Sequence, residues 1–126
     1  MQWSVVFAVL YFIESSNGKF LVGDDGDSAG RYHLTKQYVD EVNRIAGCKV
    51  YGYHDRTDNH KSMCMIFRTT NHWLAKKKLP ITYENVFRLH NTGPSEMFSE
   101  KGDRYWAKCK AYMDELANTE AKEREG

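Results

Sequence analysis

Apolar residues recur at helical spacing from the first turns of the chain. Val6, Val9, Leu10 and Ile13 stand at i, i+3, i+4 and i+7 and so share one face of a helix that should stop near Asn17 and Gly18. The next stretch, Lys19 to Gly30, carries Gly23, Gly26 and Gly30 among three aspartates and is expected to form turns or a short hairpin. Tyr38, Val39, Val42, Ile45 and Ala46 predict a second helix with Gly47 as its stop. A third should begin near Asp58, carry Met63, Ile66, Phe67, Thr70, Trp73 and Leu74 on one stripe, and end before Pro80. Thr82 is a fitting N-cap for a short helix through Val86, Phe87 and Leu89, which Asn91, Thr92, Gly93 and Pro94 must break. Asp103 should cap the last helix, whose stripe is Trp106, Cys109, Tyr112, Met113 and Leu116. The expected architecture is therefore mainly α, an α+β arrangement with one helical domain over residues 1–117 and a Gly/Asp-rich turn or hairpin. Residues 118–126 are charged and small, and are expected to fray.

Composition narrows the classes of function. The 126 residues suit one core, and 41% hydrophobic with 13% aromatic residues can build it without staples. A net charge of +1 with dispersed Lys and Arg gives no field for collecting nucleic acid. The one basic run, Lys76 to Lys78, falls where it would complement a helix dipole. Cys48, Cys64 and Cys109 are widely spaced and odd in number, which argues against a disulfide framework and for folding in a reducing compartment. The apolar opening from Val5 to Ile13 is too short to span a bilayer and lacks the basic residues of a signal peptide. The chain is thus expected to work as a monomer without membrane insertion.

Glu14 is the first candidate for chemistry. A carboxylate closing an otherwise apolar helix is partly desolvated, which favours its protonated form and suits it to donate a proton. Glu14-Ser15-Ser16-Asn17-Gly18-Lys19, then Gly23-Asp24-Asp25-Gly26, then Gly30, resembles the active-site region of goose-type lysozymes and lytic transglycosylases. Those families place a catalytic glutamate at a helix end, then a Gly-Asp turn, then a glycine opening Gly-Leu-Met-Gln. Asn91-Thr92-Gly93-Pro94 is similar to their Asn-Ala-Gly-Pro turn, and the two patches occur in the family's order.

The resemblance implies a lysozyme-like fold and cleavage of peptidoglycan between its alternating N-acetyl sugars, with no metal or organic cofactor. It gives Glu14 the general-acid role and Asp24 the positioning of water. Gly30 would let the chain pass close to the substrate, and His33, His90, Asn91 and Gly93 would line the cleft. Three positions depart from the pattern: His33 stands where the family has glutamine, His90 where transglycosylases have tyrosine, and Thr35 where some goose-type enzymes have a second aspartate. Hydrolysis with inversion needs a base across the sugar from the acid, which Asp24 would supply. Without a base, the substrate's own hydroxyl attacks and an anhydro sugar results. A wall-cleaving chain without a leader would reach its substrate by another route, such as a phage holin or a virion.

Other readings fit less well. Asp25 to Gly30 copies the opening of an EF-hand loop, but Ala29 and Lys36 stand at its fifth and twelfth positions. His54, His60, Cys64, His72 and Cys48 lack zinc-ligand spacing, and no nucleophile elbow is present. Trp73 and Trp106 read as core anchors, whereas Tyr53, in a polar stretch with His54 and Asp55, is the better sugar-stacking candidate. A binding module on the same frame that no longer catalyses, and a helical protein-interaction module, remain as competing classes.

Overall fold

The structure is a computed structural model that describes residues 1–23 and 26–125. It is mainly helical: α1 (Trp3–Ser15), α2 (Lys36–Ala46), α3 (Asn59–Lys76), α4 (Tyr83–Thr92) and α5 (Glu100–Glu125). A small sheet of β1 (Val22–Gly23), β2 (Ser28–Ala29) and β3 (Leu34–Thr35) lies between α1 and α2. Its strands are antiparallel in the order β1-β2-β3, with Val22 opposite Ala29 and Ser28 opposite Thr35. The Gly-rich stretch thus forms the expected hairpin and gains a third strand. No helix among the described residues is long and apolar enough to cross a membrane.

Local signals set most helix ends. Thr35, Asp58 and Thr82 accept from the amides of Tyr38, Lys61 and Asn85 and so cap α2, α3 and α4. Gly47 closes α2 in the left-handed region at φ 78°. After α1 the chain takes three successive positive-φ residues, Ser16, Asn17 and Gly18. Buried Ser15 holds this reversal: its hydroxyl donates to the Tyr11 carbonyl and accepts from the Gly18 amide.

The last helix differs from expectation at both ends. It starts at Glu100, where the Ser99 hydroxyl accepts from the Gly102 amide, while Asp103 pairs with Arg88 at 2.7 Å instead of capping. The helix runs on past Asn118 to Glu125, although every residue from 117 to 125 is exposed. Ala, Lys, Glu and Arg dominate that stretch and no Gly or Pro interrupts it before Gly126, which suits a helical conformation.

The core is the meeting of the predicted stripes. Val6, Val9 and Leu10 of α1 are fully buried with Val39 and Val42 of α2, Met65, Ile66 and Leu74 of α3, and Val86 and Phe87 of α4. Cys109 completes it from α5, and Trp106 stacks on Phe87 with 6.2 Å between ring centroids. A 3-10 turn over Tyr53–Thr57, which periodicity did not anticipate, ties the sheet to α3. Arg56 is buried there and donates to the carbonyls of Tyr53, Asp27 and Leu34, which sets the sheet's position.

Candidate active site

A cleft of about 670 Å3 opens between the end of α1, the hairpin, α2, α3 and the C-terminal end of α4. Glu14, His33, His90, Asn91, Gly93 and Pro94 all line it. Glu14 comes from the last turn of α1, and the left-handed reversal behind it turns the chain away at once. The break after α4 brings the second patch to the same place: Gly93 takes φ 79°, and the Thr92 hydroxyl donates back to the Arg88 carbonyl.

Glu14 is held from the core side. The Tyr105 hydroxyl of α5 donates to Glu14 Oε1 at 2.5 Å, and His90 Nε2 lies 3.6 Å from the same oxygen. Both contacts fall on Oε1. The Glu14 side chain is 17% exposed and that of His90 is 5% exposed. Burial lowers the His90 pKa below 6.5, with the Glu14 charge acting the other way, so the imidazole is neutral at neutral pH. Burial and then the Glu14 charge push the Tyr105 phenol well above its ordinary value and the Cys109 thiol up to about 12. Both groups stay protonated, and Tyr105 remains a hydrogen-bond donor.

His33 reaches the cleft in a left-handed conformation, φ 48°, with its Nε2 donating to the Phe20 carbonyl. That contact ties the segment after α1 to the turn before β3. Its ring lies against Gly23, where an added Cβ would stand 3.0 Å from it.

Two expected cleft residues lie elsewhere. Gly30 does not line the cleft: an added Cβ would meet the Arg56 carbonyl oxygen at 1.9 Å, so the backbone this glycine accommodates is the protein's own. Tyr53 is also outside it, an exposed side chain whose hydroxyl donates to Asp40. Its polar surroundings signalled exposure, which is not the same as a place in the cleft. Asp24 lies outside the described residues.

Conversely, Trp73, which the helical stripe favours as a core anchor over a sugar-stacking platform, packs on the core and also lines the cleft. Gln37, Glu41, Thr69 and Lys101 join it there. Spacing held part of this signal, since Gln37 with Glu41 and Thr69 with Trp73 are i, i+4 pairs. The partnership of Tyr105 with Glu14 had no local signal, because 91 positions separate them.

Among the described residues no three His, Cys, Asp or Glu side chains gather as a metal site. No protein-family model, curated protein or solved structure matches the chain.

Proposed function

We propose that this chain is a peptidoglycan-cleaving enzyme of the lysozyme-like kind, with Glu14 as its general acid. The observation that carries the reading is convergence: Glu14 and the Asn91 to Pro94 turn, which resemble one family's two site patches, line one cleft. The cleft's size lies within the usual range for ligand sites, and its lining mixes apolar and polar groups as a glycan requires. Tyr105 holds the Glu14 carboxyl through one of its oxygens.

In this mechanism Glu14 donates its proton to the glycosidic oxygen, the bond from that oxygen to the anomeric carbon breaks, and positive charge develops on the sugar ring. With Asp24 as base, water loses a proton and adds to the anomeric carbon, which is hydrolysis with inversion. The second reading is lytic transglycosylation, in which the sugar's own hydroxyl attacks, returns its proton to Glu14 and leaves an anhydro ring. One observation favours it. Glu41, the other carboxylate lining the described cleft, accepts from Arg44 at 2.8 and 2.5 Å through its two oxygens, and this pairing holds it below the ordinary carboxylate range and makes it a poor base toward water. Both readings require Glu14. Glu14→Gln should abolish clearing of a cell-wall suspension and keep the fold, and a fully active Glu14→Gln protein would sink the assignment.

A further inference from the structure

Helices α2 and α3 pack side by side and turn a wall to the cleft that the chemistry at Glu14 does not use. Gln37 and Glu41 stand one turn apart on α2, and Thr69 and Trp73 one turn apart on α3, so each pair projects from one helix face. All four line the cleft.

Trp73 is fixed before any ligand arrives. It packs on the core, His72 meets its ring edge-on with 5.0 Å between centroids, and the Lys76 ammonium lies 5.2 Å from the ring centroid. A ring held in this way loses little freedom on binding. Its face offers apolar surface and π density to the C–H groups of a pyranose ring. Glu41 is likewise oriented, because the Arg44 guanidinium donates to both of its oxygens. An ionised carboxylate has about four acceptor positions, so Glu41 keeps room for sugar hydroxyls.

We infer that Trp73 and Glu41 form a saccharide subsite apart from Glu14, which stacks one neutral pyranose unit on the indole and accepts its hydroxyls at the carboxylate. This inference rests on the reading of the cleft as a glycan site.

The test is calorimetric titration of tri-N-acetylchitotriose, a neutral oligosaccharide, into Glu14→Gln protein so that no cleavage occurs. Adding Trp73→Ala should weaken binding about tenfold, the size of a lost stacking contact, whereas Trp73→Phe should retain most of it. Far-UV circular dichroism and Tm confirm that both variants are folded. Equal binding by a folded Trp73→Ala protein, or no binding before Trp73 is changed, overturns the subsite. Either result leaves the Glu14 assignment to its own assay, wall cleavage by wild type against Glu14→Gln.

Discussion

Removing a single oxygen, in Tyr105→Phe, probes how the acid is held. Tyr105 is 7% exposed, and its ring stays in the core in the variant, so no cavity opens beyond the hydroxyl's own volume. The lost interaction is the 2.5 Å hydrogen bond to Glu14 Oε1. His90 Nε2, at 3.6 Å, is too far to replace it. A hydrogen bond between uncharged groups, the state in which Glu14 acts as an acid, contributes about 0.5–1.5 kcal/mol, and about 1.4 kcal/mol corresponds to tenfold in rate. If the hydroxyl's role is to hold the carboxyl in line with the scissile bond, kcat/KM should fall roughly two- to tenfold. Stability should fall by about 1–3 kcal/mol, because a buried acceptor loses its donor. The assay is the clearing rate of purified cell wall per folded molecule, with the folded fraction taken from thermal unfolding of the same sample. A lower Tm with an unchanged rate per folded molecule would refute the positioning argument and leave Tyr105 a purely structural residue.

Two further outcomes follow from the site's surroundings. Gly30→Ala should cost about 3 kcal/mol or more, since its Cβ would lie 1.9 Å from a backbone oxygen at φ 84°, whereas Gly47→Ala, at φ 78° with nothing within 4 Å, should cost about 1 kcal/mol; urea unfolding midpoints compare them. His90 is held below 6.5 in the folded chain, so the unfolded chain binds a proton first as pH falls: its contribution to stability is complete above about 6.5 and is lost below it. His90→Gln should flatten the stability profile between neutral pH and about pH 5, and identical profiles for the two proteins would refute this.

The sequence made the helices legible where one residue's local chemistry decides an end. Thr82, Asp58 and Gly47 act through their own side chain or φ, within a few positions of the group they satisfy. The α1 stripe was legible because burial of Val6, Val9 and Leu10 follows directly from the helical repeat. Glu14 and the Asn91 to Pro94 turn were found as patches, but only the packing of α1 beside the end of α4 makes them one site. Gly30 shows the limit of local reading: a glycine marks a close approach without saying what approaches. Tyr53 lies on the surface outside the cleft and Trp73 reaches into it for a related reason. A helix stripe wide enough to reach the core can also carry its edge residue into a cleft, and α3 does this at Trp73.

Cleavage of a glycan strand by Glu14 would be read in the products released. Peptidoglycan is incubated with the wild-type protein and with Glu14→Gln, and the released sugars are analysed by mass spectrometry. Soluble fragments are expected from the wild type alone, ending in reducing sugars for a hydrolase or in anhydro sugars for a transglycosylase. Equal release by both proteins, or no release by the folded wild type, would contradict it.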